Sequence, residues 1–146
     1  MSYPRIEPGR GPFAVTERVR FGDLDAMQHM NNVEFLRYFE TARIAYLESL
    51  FPEHTPTSRS DFGFIFAECQ ISYRSPAFYG EEIRTEIVPE KIGNASLRLG
   101  FEMRAVGDGR LVAEGHGTLV GYDYSRGAST PLPDALRELL ARDVSM

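Results

Sequence analysis

Residues Val33 to Phe51 place apolar side chains at Phe35, Phe39, Ala42, Tyr46 and Leu50. These steps of three or four draw one stripe down a 3.6-residue repeat, which predicts an amphipathic helix with one buried face. It is the longest helical pattern in the chain, and most of the remaining patterns alternate with period two. The fold must therefore bury this stripe against strands. Glu34, Arg37, Thr41 and Glu48 fall largely off it, and Glu34–Arg37 and Glu40–Arg43 are i,i+3 pairs that add slight surface support. Asn31 or Asn32 supplies the N-cap, because a short side-chain amide accepts from the first free backbone N–H groups. Directly upstream lies the polar cluster Phe21-Gly22-Asp23-Leu24-Asp25-Ala26-Met27-Gln28-His29-Met30-Asn31-Asn32. It marks a strand-to-helix junction. The uncapped N–H groups of a helix start carry roughly half a positive charge, which favours an anion or a polarised carbonyl. Asp25 faces that end, so the junction is where chemistry is expected.

Around the helix, Phe13 to Phe21 reads as a strand with Phe13, Val15, Val19 and Phe21 on one face; Glu17 breaks that face and implies partial exposure. Phe62 to Arg74 reads as a long strand, with Ile65, Ala67, Ile71 and Tyr73 on one side and Phe64 and Phe66 on the other. Glu82 to Val88 follows, ended by Pro89, and then Ala95 to Ala105 alternates strictly. The Gly107-Asp108-Gly109 turn returns the chain as Arg110 to Tyr124. Gly115, Gly117 and Gly121 in that strand mark close approach, read as the place where the helix lies on the sheet. Residues 1–12 are expected to be a loose leader, 52–61 and 125–130 loops, and Pro131 to Ala141 a short terminal helix. One helix followed by four strands argues an α+β domain, the strands able to run as an antiparallel meander on one face of the helix. Sheets of this kind leave long edges, so a homo-oligomer is expected.

The chain has 146 residues, 42% of them hydrophobic, which suits one domain with a real core. A net charge of −5 with scattered signs offers no basic stripe for nucleic acid. No segment has the apolar length to span a bilayer or to act as a secretory signal, so a soluble cytoplasmic protein is expected. The single cysteine, Cys69, is read as a small buried hydrophobe in a strand.

The string Phe21-x-Asp23-x-Asp25-x-x-x-His29-x-Asn31-Asn32-x-x-Phe35-x-x-Tyr38-x-Glu40-x-x-Arg43, continued through Ile71-x-Tyr73-x-x-Pro76 and Gly80-Glu81, resembles the hotdog-fold acyl-CoA thioesterases of the hydroxybenzoyl-CoA thioesterase-like family. Where that family usually has Gly before the His and Val after it, this chain has Gln28 and Met30. The resemblance implies a hotdog domain spanning 1–146, a curved antiparallel sheet wrapped around a long central helix. It further implies a dimer with sites at the subunit interface, hydrolysis without a metal or cofactor, and Asp25 as the catalytic carboxylate.

Taken from the residues, Asp25 acts either as nucleophile or as general base on water. Backbone N–H groups around Met30, Asn31 and Asn32 are the candidate oxyanion donors. His29 is read as fixing the loop or lining the carbonyl site, while Phe35, Phe39, Phe64 and Phe66 are candidate acyl-pocket walls against a background of simple core packing. Arg59, Arg74 and Arg126 are candidate contacts for coenzyme A phosphates. Asp23, Asp25 and His29 have metal-compatible donors, but no second cluster completes a shell. No Gly-x-Ser-x-Gly element supports a serine triad. Two alternatives stay open: a non-catalytic acyl-CoA or acyl-carrier binding domain on the same scaffold, and a dehydratase using His29 as base.

Overall fold

The computed structural model describes residues 4–6, 12–52 and 62–144. In chain order the elements are β1 (Arg5–Ile6), β2 (Phe13–Arg18), α1 (Asn32–Leu50), β3 (Phe62–Tyr73), β4 (Glu82–Ile92), β5 (Ser96–Ala105), β6 (Leu111–Asp123), β7 (Ala128–Ser129) and α2 (Asp134–Val144). The antiparallel sheet runs β1-β2-β4-β5-β6-β3, with β7 beside β6. The architecture is the expected hotdog, a curved antiparallel sheet around one long helix.

The predicted stripe is the buried face of α1: Phe35, Phe39, Ala42 and Tyr46 are at most 2% exposed, and Tyr38 and Leu47 join them. Asn31 caps the helix, its side chain accepting from Val33 N–H, so the helix starts where the asparagine pair predicts. The sheet meets this stripe with Leu97, Leu99, Phe101 and Met103 of β5, alternate residues that are all buried. Phe39 stacks on Phe101 with ring centroids 4.3 Å apart. Helix α2 closes the open end by burying Leu136 and Leu140, and Tyr46 Oη donates to Asp143 at 2.5 Å to join the two helices.

Several expectations change once tertiary pairing is known. The four later strands are not a meander: β3 crosses to the far edge and pairs with β6, while β4 pairs with β2 and β5. Strand β2 stops at Arg18, and Phe21 lies in a 3-10 turn, 79% exposed. Glu17, expected at a partly exposed position, is only 6% exposed because α1 packs over β2, with Thr41 of the helix beside its carboxyl. Burial raises its pKa above the usual carboxylate value. In β3 the register shifts between Phe66 and Glu68, which reverses parity. Ile65 and Ala67 are therefore exposed, while Phe62, Phe64 and Phe66 before the bulge, and Cys69 and Ile71 after it, pack against the core. Strand β4 does not end at Pro89 but continues to Ile92 through a second bulge. Part of the expected leader forms β1, part of the 125–130 loop forms β7, and the terminal helix begins at Asp134 rather than Pro131.

The glycines of β6 have separate neighbours. Only Gly117 fits the helix-contact reading, since a Cβ there would sit 2.7 Å from Phe39 Cε2 and 2.7 Å from Phe66 Cε1. A Cβ at Gly115 would instead strike the backbone of Gln70, and one at Gly121 the Thr130 carbonyl. Both rings at Gly117 are held in the core, so Gly117→Ala is expected to cost about 1–3 kcal/mol of stability, the range for overpacking. Urea unfolding of the variant measures it. An unchanged midpoint would show that the rings shift without strain.

On the outer face, Glu86, Glu102 and Glu114 lie opposite one another across β4, β5 and β6. Adjacent like charges are unfavourable. Each carboxylate has its own arginine, Arg84 at 2.9 Å, Arg104 at 3.1 Å and Arg74 at 2.9 Å respectively, which offsets the repulsion.

Candidate active site

The loop from Leu24 to Asn31 is built on itself and then pinned to α1. Asp25 Oδ1 accepts from Met27 N–H at 2.8 Å and from His29 N–H at 3.4 Å, an aspartate-headed turn. Asp25 N–H donates to the His29 carbonyl, and Gln28 N–H to the Asp25 carbonyl. Gln28 at the turn has φ +65°, the left-handed region that costs an L side chain roughly 1 kcal/mol and suits glycine. This is the position where the resembling family carries glycine. Asp25 Oδ2 makes no bond among the described residues.

Asp23, two residues earlier, turns the other way. It is buried, accepting from Tyr38 Oη at 2.5 Å and from Arg20 N–H at 3.0 Å, and its carbonyl receives Asn31 N–H at 2.8 Å. Burial and the Asp23 carboxylate push the Tyr38 hydroxyl well above its ordinary pKa, so it stays a donor. Asp23 is thus a structural anchor that ties the loop to the second turn of α1. It does not converge with Asp25 and His29, and among the described residues no three metal-ligating side chains cluster.

Asp25, His29, Met30, Asn32 and Phe35 open onto one cleft of about 290 Å³, with Tyr73, Arg74, Ser75 and Pro76 forming the opposite wall. The three expected backbone donors are not equivalent. Met30 N–H donates to the Ala77 carbonyl and Asn31 N–H to the Asp23 carbonyl, each at 2.8 Å. Asn32 N–H, at the first position of α1, has no acceptor among the described residues, and it lies at the positive end of the helix. His29 packs edge-on against Phe78, centroids 5.6 Å apart.

Phe35 meets Tyr73 edge-on at 5.3 Å, and Tyr73 Oη donates to the Asn32 carbonyl at 3.2 Å. Tyr73 is not among the site residues expected from the sequence, where it stands on a face of β3 and in the resembling string. The available signal was its place in the string with Pro76, which also lines the cleft. Phe39, Phe64 and Phe66 are not brought to this cleft: Phe39 sits between Phe101 and Phe66 in the core, Phe66 lies under the Arg43 guanidinium, and Phe64 packs on Phe62. Arg74 is at the rim, half-exposed and paired with Glu114. Arg126 is in the turn between β6 and β7, at the end of β6 remote from Arg74. Arg59 lies outside the described residues.

The sequence profile of the thioesterase-like superfamily matches residues 19–140. The chain is 28% identical over 127 residues to the long-chain acyl-CoA thioesterase FadM of Escherichia coli, covering 87% of this chain and 96% of that one. It is 31% identical over 98 residues to a 1,4-dihydroxy-2-naphthoyl-CoA hydrolase of Prochlorococcus marinus, a match covering 62% of this chain and 65% of the relative's length. Among solved structures, a Thermus thermophilus thioesterase crystallised with coenzyme A and Zn is similar at TM-score 0.76 and 33% identity, covering 91% of this chain and 94% of that one.

Proposed function

The chain belongs to the thioesterase-like superfamily, and from that we propose that it hydrolyses an acyl-CoA thioester to free coenzyme A and a carboxylic acid, with Asp25 as the reacting carboxylate. One observation carries the reading. Asp25, whose Oδ2 makes no bond among the described residues, and Asn32, whose N–H has no acceptor among them, line the same cleft at the start of α1. A thioester carbonyl seated between them has its oxygen polarised by a fixed dipole and its carbon presented to the carboxylate.

Hydrolysis follows by either of two routes. As general base, Asp25 removes a proton from water as it attacks the carbonyl carbon; the tetrahedral oxyanion, held by Asn32 N–H, collapses, the C–S bond breaks, and the thiolate takes up the proton. As nucleophile, Asp25 displaces the thiolate to form a mixed anhydride that water then cleaves. His29 borders the carbonyl position, and Phe35 and Tyr73 supply an aromatic wall for the acyl group. Arg74 is the rim cation for a phosphate of coenzyme A, which would compete with Glu114 for it.

The active form is a homo-oligomer. Among the described residues strand β3, twelve residues long, pairs only with β6; it exposes Ile65 and Tyr73, and Tyr73 lines the cleft. An edge strand of that length invites a second copy, which would then wall the site. The reading places the protein in the cytoplasm, and among the described residues no helix is long and apolar enough to cross a membrane.

The test is thiol release from a panel of acyl-CoA thioesters. The panel includes a long-chain and a fused-aromatic acyl group, because the two relatives are named for those substrates. Stoichiometric free thiol and carboxylic acid are expected from at least one thioester. Tight binding without release would support the binding-domain alternative, and an absorbance change on an enoyl thioester without thiol would support the dehydratase.

A further inference from the structure

The Gly80-Glu81 pair has no part in the chemistry above, yet it sits at the centre of a set of contacts that ends on the cleft. Glu81 Oε1 accepts from Phe78 N–H at 2.8 Å, so the carboxylate closes the turn from Pro76 to Glu81 on itself. Arg110, at the start of β6, donates through Nη2 to both Glu81 oxygens, at 2.7 and 3.0 Å, and to the Pro76 carbonyl at 3.1 Å. The same guanidinium lies 5.9 Å from the centre of the Phe78 ring. The clamped turn reaches the cleft at two points: Ala77, fully buried, takes Met30 N–H on its carbonyl, and Phe78 presents its ring to His29.

We propose that Glu81 and Arg110 are positioning residues for the reaction, holding the 76–81 turn so that its Ala77 carbonyl and Phe78 ring set the placement of Met30 and His29 around Asp25. The inference rests on the hydrolase reading of the cleft. It follows from how little else fixes the loop: the Asp25 turn is exposed and bonds mainly to itself. Among the described residues its ties to other segments are Met30 N–H to the Ala77 carbonyl, the His29 ring on Phe78, Asn31 N–H to Asp23, the Asn31 cap on α1 and the Met30 side chain in the core. The first two belong to the clamped turn, and they are the ones that flank Asp25 on the His29 side. The ion pair is only about a quarter exposed on each side, so solvent screens it less than an exposed pair. A reacting group displaced by about 1 Å can lose on the order of a hundredfold in rate, so a slack turn shows in kcat.

The Arg110 guanidinium also donates to Asp108 in the β5–β6 hairpin at 2.6 Å, and among the described residues Asp108 has no bond to the turn. That gives an internal control. On the acyl-CoA that the wild type turns over fastest, Glu81→Gln and Arg110→Gln are each expected to lower kcat by about tenfold or more with KM within about twofold. The double variant is expected to be little worse than either single one, because both break one contact set. Arg110→Lys is expected to recover part of the loss, since a lysine can meet Glu81 but cannot span Glu81, Asp108 and the Pro76 carbonyl together. Asp108→Asn is expected to keep wild-type kcat. A purely structural role would lower Tm and leave kcat per folded molecule unchanged, so folded fraction is measured on each sample. If Arg110→Gln fails to fold, Glu81→Gln, which exchanges one oxygen for an NH2 group, carries the test. Independently of turnover, the His29 ring proton resonances are expected to move in Glu81→Gln and to stay in place in Asp108→Asn. Wild-type kcat in Glu81→Gln, with unmoved His29 resonances, would overturn the proposal while leaving an active wild type and the hydrolase reading intact. A wild type without turnover would instead defeat the reading itself.

Discussion

Asp25→Asn is expected to lower kcat by at least about a hundredfold while leaving the fold in place. The loss follows from chemistry: the amide neither accepts a proton from water nor forms an anhydride, and removing a general acid or base costs about 10²- to 10⁴-fold. The fold survives because the contacts of Asp25 need an acceptor, not a charge. An asparagine Oδ1 can take the Met27 and His29 N–H groups as the aspartate does, with its NH2 turned to the cleft where Oδ2 makes no bond among the described residues. Circular dichroism and steady-state kcat on the same sample check both halves. An unfolded variant would show that the charge holds the loop.

Asn32→Pro is the second large effect and separates the backbone donor from everything else at the helix start. Proline deletes the one N–H of the expected trio that is unpartnered among the described residues. Its ring is tolerated at the first helical position, which lacks an intrahelical acceptor for that N–H. The residue before a proline must be extended, and Asn31 already is, at φ −63° and ψ 138°. The expected result is a kcat lowered by about a hundredfold, as for loss of one oxyanion donor, with Tm close to wild type. Asn32→Ala, which removes the side chain and keeps the N–H, is the comparison. Equal losses in the two variants would assign the effect to the side chain rather than to the backbone dipole.

The parts of the fold carried by local pattern were legible in the sequence. The α1 stripe, a cap from the Asn31–Asn32 pair, the alternation of β5 and the Gly107–Gly109 turn each depend on residues close in the chain, and all four are present, with Asn31 as the cap. What escaped depends on partners distant in the chain. Nothing local in Phe62 to Tyr73 says that this strand pairs with β6 at the far edge. One bulged residue near Ala67 was enough to exchange its two faces. Glu17 looked exposed because its cover comes from α1, not from its own strand.

The site divides along the same line. Asp25, His29 and Asn32 share one short segment, so their common location could be read from spacing. The inequality of the three backbone donors could not, because Ala77, which takes Met30 N–H, sits on a turn after β3. The same applies to Phe39, Phe64 and Phe66, aromatic residues that the sequence offers equally to a pocket or a core and that packing assigns to positions away from this cleft. Gln28 is a different kind of miss. Its positive φ is a property of the loop that glycine would have advertised and glutamine conceals.

Bond breaking at the thioester carbonyl is the step proposed for Asp25 in this cleft. Its most direct test is a single-turnover experiment with enzyme in excess over the best acyl-CoA of the panel, thiol release being followed for wild type and Asp25→Asn after binding is confirmed for both. Enzyme excess removes product release from the observed rate, so the comparison reads chemistry alone. Full thiol release is expected from wild type and, from an equally well-bound Asp25→Asn complex, release slowed by about a hundredfold or more. Release at the wild-type rate from the mutant complex would contradict this expectation, and would place the chemistry on another group.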